Sequence, residues 1–276
     1  MDPLTSNDPY SCVKPDDAKV VHTDLDLIID FDETVIHGKA VLFIESKADC
    51  DRILLDTYGF QEEKIIVKDD VTGNALVYKI NKCIDNIGSE EFSIMLPWTL
   101  SNDKKVHEYK YGVDKINFLY NYRILIEYET RKDSLALYWL RRDQTSSGTH
   151  PFLLTNNQFT YARGVFPCQD SPQVRFTYTA KISVPKAIRV IVGGRQCKSI
   201  NKIDPDRHTH IFYETNPMPS YAIIIVAGLL RLRNLYRSKI ITLCAEQKHF
   251  FQIQKVLTFC KHAINIANEL CGFPIQ

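Results

Sequence analysis

The sequence lacks most of the patterns that identify an enzyme or a membrane protein directly. Its 276 residues contain no Gly-rich phosphate-binding loop, no Gly-x-Ser-x-Gly turn and no Cys-x-x-Cys pair. The eight cysteines are scattered, so we expect reduced and mostly buried thiols rather than a disulfide framework. The longest apolar run, Tyr221 to Leu230, is about half of the roughly 20 residues that a transmembrane helix needs. We therefore expect no membrane partner.

The sequence also has no large excess of positive or negative residues. The chain has 34 Lys and Arg against 33 Asp and Glu, a net charge of +1. This balance gives no reason to expect nucleic acid as a partner. The first five residues contain neither the basic nor the apolar region of a secretory signal, which predicts a cytoplasmic protein.

Apolar and polar residues alternate with a period of two along much of the chain. The clearest run extends from Val174 to Val184 and ends at Pro185, which has no N–H for a sheet hydrogen bond. Residues 24–31 and 40–44 flank a polar turn and predict a β-hairpin. Short strands at this spacing predict a mainly β fold of antiparallel sheets.

The pattern changes after Leu230. Apolar residues recur at steps of three and four through 246–271, and Gly272 follows as a stop signal, which predicts one long amphipathic helix. The predicted organisation is an extended tail at 1–18, a β-domain at 19–230 and a strand followed by the helix at 231–276. The apolar stripe of the helix either packs against the β-domain or belongs to the first helix of a further domain that would cover it. We expect that it belongs to a further domain.

Candidate chemistry within the chain is sparse. A zinc hydrolase typically uses an HExxH helix with a third ligand further on, and no HExxH is present. His208 and His210 are the one close histidine pair; they would share a face of a strand, but no third ligand is implied. Cys168 is a conceivable nucleophile with a distant histidine. An independent enzyme that uses Cys168 or a metal at His208 and His210 is therefore only an alternative hypothesis.

One segment carries a family resemblance. Residues 155–172 read Thr-Asn-Asn-Gln-Phe-Thr-Tyr-Ala-Arg-Gly-Val-Phe-Pro-Cys-Gln-Asp-Ser-Pro and lead into the alternating strand. The Gln, the Arg five residues later and the Pro-Cys-x-Asp-x-Pro run resemble the N-terminal domain of the gluzincin zinc aminopeptidases, in the leukotriene A4 hydrolase-like branch. The hairpin, Leu54–Thr57 and the segment 219–228 agree with that branch.

The resemblance implies both a fold and an activity. It implies a saddle-like antiparallel β-sandwich, followed by the start of a thermolysin-like α/β catalytic domain that is truncated before the zinc motif. The complete enzyme would bind zinc, remove N-terminal residues from peptides and, in this branch, hydrolyse a lipid epoxide. This chain lacks the zinc ligands and the family's Gly-x-Met-Glu-Asn loop. We therefore expect no catalytic residue, no metal ligand, no cofactor and no activity in this chain alone.

The resemblance also implies a substrate-binding set. Gln158 would hold the free N-terminus of a peptide, because an amide both donates and accepts hydrogen bonds. Phe159 would line and narrow the first side-chain pocket, and Asn156 completes the set. Arg163 and Asp170 are expected to fix the loop by pairing with each other or with backbone groups.

A second hypothesis is a non-catalytic β-domain that acts as a binding or regulatory module. In that case the helix at 246–271 would bind a protein partner or a second copy of the chain. The sequence leaves open whether the chain is a fragment, a splice product or an incomplete gene prediction.

Overall fold

The structure is a computed structural model that describes residues 10–82, 89–97, 104–111, 114–200, 204–234 and 242–272. Within these ranges the chain forms eighteen β-strands and one α-helix. The expected mainly β fold is therefore confirmed. The strands are β1 Ala18–Asp30, β2 Val35–Ser46, β3 Arg52–Thr57, β4 Ile66–Asp69, β5 Tyr78–Lys82, β6 Glu90–Met95, β7 Lys105–Tyr111, β8 Asp114–Tyr120, β9 Tyr122–Glu129, β10 Leu137–Leu140, β11 Phe152–Thr155, β12 Phe176–Pro185, β13 Arg189–Val192, β14 Arg195–Ile200, β15 Arg207–Met218, β16 Ile225–Gly228, β17 Arg231–Asn234 and β18 Thr242–Ala245. The helix α1 is Phe250–Cys271.

The strands form five sheets. The largest has the order β14-β15-β12-β1-β2-β9-β4, and a second has the order β10-β11-β16-β13. The others are β3-β6-β5, β7-β8 and β17-β18. All of these pairings are antiparallel except β1 with β12, which is parallel. The largest sheet is thus mixed at its centre, where strands distant in sequence lie side by side.

The predicted hairpin of β1 and β2 is confirmed. Its turn is closed by Asp30, whose Oδ1 accepts the backbone N–H groups of Asp32 and Glu33, each at 2.9 Å. The glycine at position 38 lies opposite Tyr128 of β9, and a Cβ atom there would overlap the tyrosine ring. The hairpin therefore requires glycine at this position so that a large aromatic residue can pack across it.

The central apolar residues of β1, β9 and β12 form one continuous core. Leu27, Ile126 and Ile182 are fully buried there. Burial of one such side chain stabilises the fold by roughly 1.5–3 kcal/mol. The alternation in the sequence identified these positions, because a period of two places them all on the same face of each strand.

The opposite face of β1 and β12 is not the solvated surface that the alternation predicts. The hairpin β7–β8 covers part of it, and His22, Thr177 and Thr179 are buried beneath or beside that hairpin. His22 Nδ1 lies 2.6 Å from Thr177 Oγ1, and its ring stacks on Phe118 of β8 with centroids 4.5 Å apart. The burial of these threonines could not be predicted from the alternation, because a local pattern contains no information on which distant hairpin covers a sheet.

A polar network holds the hairpin in place. His22 Nε2 lies 3.1 Å from Asp24 Oδ1, and the Tyr109 hydroxyl donates to the other carboxylate oxygen of Asp24. Burial lowers the pKa of His22 below its ordinary value, because the charged imidazolium loses its hydration there. The hydrogen bond and charge of Asp24 oppose that shift only in part.

Two local details differ from the alternation pattern. Alternation places Leu135 on the same face as Leu137, but Leu135 precedes β10 and is exposed, whereas Leu137 is buried. The tail is described from Tyr10 onward. The Tyr10 carbonyl accepts a hydrogen bond from Arg163, and Ser11 and Cys12 donate to Asp56 of β3, so these residues pack against the β-domain. The proposed boundaries at 18/19 and 230/231 stay predictions.

The long helix is confirmed as α1, preceded by a 3-10 turn at Gln247–His249 and capped by Gly272 in the left-handed conformation with φ of 68°. Its largest contact with a strand is with β18. None of its described side chains is buried, and Phe251, Phe259 and Leu270 are 76%, 72% and 82% exposed. In the described ranges no helix is long and apolar enough to cross a bilayer. The residues after Gly272 lie outside the described part.

Candidate functional site

The segment 155–172 forms a long loop between β11 and β12. Thr155 Oγ1 accepts the backbone N–H of Ile225 at 2.9 Å, and the Asn156 N–H donates to the Ala136 carbonyl at 2.8 Å. A 3-10 turn at Ala162–Gly164 follows. Both bonds hold the N-terminal side of the loop, and residues 157–161, between them and the 3-10 turn, form its apex.

The apex directs two neighbouring side chains outward. Gln158 is exposed, Phe159 is 75% exposed, and the peptide bond between them is cis. Asn156 is half-buried. The structure thus brings Gln158 and Phe159 together on the surface, with Asn156 beside them in a more enclosed position.

Asn157, which the sequence reasoning passed over, anchors the apex from below. It is fully buried, and its Nδ2 donates to the Ile223 carbonyl at the end of another loop. Its Oδ1 has no hydrogen-bond partner within the described residues. This role had only a weak signal in the sequence, because two consecutive asparagines in a loop normally indicate solvent exposure.

Arg163 lies beneath the apex and pairs with Asp170. Arg163 Nε donates to Asp170 Oδ2 at 3.0 Å, and the backbone N–H of Arg163 donates to the same oxygen at 3.2 Å. A further guanidinium nitrogen donates to the Tyr10 carbonyl at 2.7 Å. The eight-residue segment from Arg163 to Asp170 is therefore closed by its own two ends and bonded to the N-terminal segment.

A second buried carboxylate, Asp56 at the end of β3, completes this cluster. Its Oδ2 lies 3.9 Å from Arg163 Nη2 and accepts the Asp170 N–H at 3.0 Å. It also accepts the Ser11 hydroxyl at 2.6 Å and the Cys12 N–H at 2.9 Å. The sequence contained a usable signal, because an aspartate directly after the apolar run Ile53–Leu55 is expected to be buried and paired.

Burial dominates the electrostatics of the cluster. It raises the pKa of the Asp170 carboxyl, while the Arg163 charge and a hydrogen bond from the Ser220 hydroxyl act in the opposite direction. Burial also raises the pKa of the Cys168 thiol well above its ordinary value. Cys168 is 2% exposed and its thiol stays protonated near neutral pH, which argues against it as a nucleophile.

Gln169 ties the loop to the largest sheet. Its Nε2 donates to the Ala18 carbonyl at 2.8 Å, and its Oε1 accepts the Val20 N–H at 2.8 Å. One side chain therefore replaces a pair of sheet hydrogen bonds at the start of β1. The rigidity of the loop comes from these buried polar contacts, since each buried polar group needs a partner.

The described residues do not fit a zinc ion. His208 and His210 lie on β15 with their rings stacked and their centroids 5.3 Å apart. In the ranges that the structure describes, no group of three or more His, Cys, Asp or Glu side chains is arranged to hold a metal. We therefore derive no hydrolytic step from this structure.

Comparisons with known proteins agree with this architecture. The model of the peptidase M1 N-terminal domain matches residues 19–222. The chain is 29% identical to leukotriene A-4 hydrolase of Xenopus laevis over 230 residues, which are 83% of this chain and 34% of that protein. It is 29% identical to leucine aminopeptidase 2 of Pyricularia oryzae over 229 residues, covering 82% of this chain and 33% of that protein.

Solved structures show the same fold. A yeast LTA4 hydrolase in complex with bestatin and the native LTA4 hydrolase of Saccharomyces cerevisiae each superpose with a TM-score of 0.69 at 23% identity. They cover 90% of this chain but 34% and 35% of their own lengths. The chain thus spans about a third of the length of the relatives that it matches.

Proposed function

The chain belongs to the peptidase M1 N-terminal domain family, and on that premise we propose that it is the substrate-positioning part of a cytoplasmic zinc aminopeptidase resembling leukotriene A4 hydrolase. Its role is to bind the N-terminal end of a peptide at the apex of loop 155–172. The complete enzyme would release N-terminal residues from peptides and would also hydrolyse a lipid epoxide.

The observation that carries this proposal is the contrast between the apex of the loop and its base. Gln158 and Phe159 are exposed, while Arg163, Asp170 and Asp56 beneath them are buried and mutually bonded. A fixed loop that presents an amide beside an aromatic ring loses little conformational entropy when it binds a peptide. The amide suits the N-terminal amine and backbone, and the ring suits the first side chain.

We further propose that residues 1–276 do not hydrolyse peptides by themselves. In the complete enzyme zinc supplies Lewis-acid activation of water and the peptide carbonyl. The sequence contains no HExxH motif that would bring two histidines and a glutamate to such an ion. Peptide binding would therefore belong to this chain, and zinc-dependent hydrolysis to another segment of the complete enzyme.

The binding proposal is tested by NMR titration of the chain with a leucyl tripeptide and with the same peptide acetylated at its N-terminus. We expect shifts of the Gln158 side-chain amide and the neighbouring backbone signals with the free amine, and much smaller shifts with the acetylated peptide. Equal responses to both peptides, or responses elsewhere in the chain, would refute N-terminal recognition at the apex.

The hydrolysis proposal needs a separate assay. The purified chain, supplied with zinc, is incubated with a leucyl arylamide, and release of the arylamine is followed by absorbance. We expect no release above a blank without protein. Turnover that is removed by a chelator would show that this chain binds and uses a metal ion.

A specific observation favours a second role as a binding module. The helix α1 exposes Phe251, Phe259 and Leu270, and large apolar side chains concentrated on one exposed element commonly mark an interaction surface. A protein partner or a second copy of this chain would cover them. This role is compatible with peptide binding, because α1 and loop 155–172 are separate elements.

A further inference from the structure

A cavity of about 650 Å³ opens between β13, β15 and β17. It shares no lining residue with loop 155–172, so it is a different site from the one described above. Its volume falls in the range of pockets that bind small molecules, roughly 300–1,000 Å³. The proposed peptide-binding function makes no use of it.

The lining of the cavity carries charge of one sign. Lys186, Arg189 and Arg231 contribute three positive charges, and no aspartate or glutamate lines the cavity. None of the three forms an ion pair with a described carboxylate, whereas Arg163 and Arg123 elsewhere each face one or more aspartates. Three cations that line one concave surface, with no carboxylate among its lining residues, create a positive potential that attracts anions.

Two histidines extend this polar surface. His208 and His210 lie next to each other on β15, and Gln196 of β14 contacts the His210 ring with 3.3 Å between Nε2 and Nδ1. Burial lowers the pKa of His210, and the nearby His208 and Arg189 charges lower it further. The neighbouring positive charges that help to lower the pKa of His210 are therefore charges that an anionic ligand would neutralise.

The remaining wall is apolar. Ile188, Val190 and Leu230 are buried side chains that line the cavity. A site with a cationic rim and an aliphatic wall suits a ligand that has an anionic group attached to a less polar body. Arginine matches phosphate better than lysine does, because its planar guanidinium donates two parallel hydrogen bonds.

We propose that this cavity binds a small ligand that contains a diphosphate group. The terminal phosphate of such a group carries roughly −1.5 to −2 charges near neutral pH and the inner phosphate about −1, so together they balance the three cations of the lining. Arg189 and Arg231 bind the phosphate oxygens, and Lys186 adds a third positive charge. The organic part of the ligand, where there is one, lies against Ile188, Val190 and Leu230.

The test uses the full chain and two probes, inorganic pyrophosphate and adenosine diphosphate, in isothermal titration calorimetry. Pyrophosphate alone tests the shared chemistry, and tighter binding of the nucleotide would show that the apolar wall contacts an organic group. Equal affinity for pyrophosphate and adenosine diphosphate would indicate that the site binds free diphosphate. We expect the R189Q/R231Q variant to bind pyrophosphate at least tenfold more weakly than the unmodified chain.

The matched control is R175Q/K181Q, which also removes two positive charges from exposed positions but lies outside the cavity lining. We expect its affinity to stay within twofold of the unmodified chain. Circular dichroism and thermal melting check that both variants remain folded. If R189Q/R231Q does not fold, the single substitution K186Q provides a milder change in the same cavity. No binding to the unmodified chain at millimolar pyrophosphate, or equal losses in both double variants, would overturn the proposal.

Discussion

Arg163 and Asp170 form an ion pair in the interior of the protein, with Arg163 Nε 3.0 Å from Asp170 Oδ2 and each side chain 1% exposed. Asp56 lies on the other side of the guanidinium, 3.9 Å from Nη2, and is also buried. One positive charge therefore faces two carboxylates beneath the loop that presents Gln158. Hydrogen bonds from Ser11, Ser220 and backbone N–H groups satisfy the remaining carboxylate oxygens.

We predict that Arg163→Met lowers the free energy of unfolding by about 3–5 kcal/mol, because it leaves buried carboxylates without their positive partner. Urea denaturation at neutral pH measures the change. The control is Arg131→Met, which breaks the exposed pair between Arg131 and Asp133 and should have no measurable effect. If the two variants are equally stable, the buried pair does not support the loop.

We predict that Gln158→Ala weakens binding of a peptide with a free N-terminus without changing the melting temperature. The side chain is exposed, so its removal creates no cavity, and the loss of one hydrogen bond to a charged amine corresponds to roughly 1.5–3 kcal/mol. The NMR titration with the leucyl tripeptide measures it. Gln252→Ala, an exposed glutamine on α1, is the matched control and should bind as the unmodified chain does.

We predict that the chain self-associates through α1 and that Phe251→Lys/Phe259→Lys shifts it toward the monomer. Both rings are more than 70% exposed, and a lysine on each removes the apolar contact and adds charge repulsion between copies. Sedimentation velocity over a range of concentrations measures the shift. The control replaces two exposed polar residues of the same helix, Gln252 and His262, with lysine. A monomer at every concentration of the unmodified chain would contradict self-association.

We predict that acid destabilises the protein partly through His22. Its pKa is lowered in the folded state, so below about 6.5, the ordinary value for histidine, the unfolded chain binds more protons than the folded one. Stability is therefore retained above that pH and falls as the pH decreases toward the lowered folded-state value. The slope contributed by one histidine is at most about 1.4 kcal/mol per pH unit.

The variant His22→Gln tests this, because glutamine preserves hydrogen-bonding groups near Thr177 and Asp24 but does not titrate. Urea denaturation between pH 8 and pH 5 should give a flatter dependence of stability on pH than in the unmodified chain. The exposed His262→Gln serves as the control. An unchanged slope in His22→Gln would mean that other groups cause the acid sensitivity.

The elements with a local signal could be predicted from the order of amino acids alone. Alternation at Leu25, Leu27 and Ile29 predicted the inner face of β1, and the steps of three and four with Gly272 predicted α1. The segment 155–172 was specific enough to indicate the family. These features could be predicted because strand and helix periodicity and a loop motif depend on neighbouring residues in the chain.

Contacts between residues that are distant in the sequence depend on the three-dimensional fold. Asp56 is more than a hundred positions from Arg163 in the sequence, and Thr177 is 155 positions from His22, yet both pairs are in contact. The parallel pairing of β1 with β12 places His22 opposite Thr177, and backbone hydrogen bonds between Asp56 and Cys168 bring β3 next to the loop that carries Arg163. A buried charge or imidazole requires a partner, but its own chemistry does not specify which strand or loop supplies that partner.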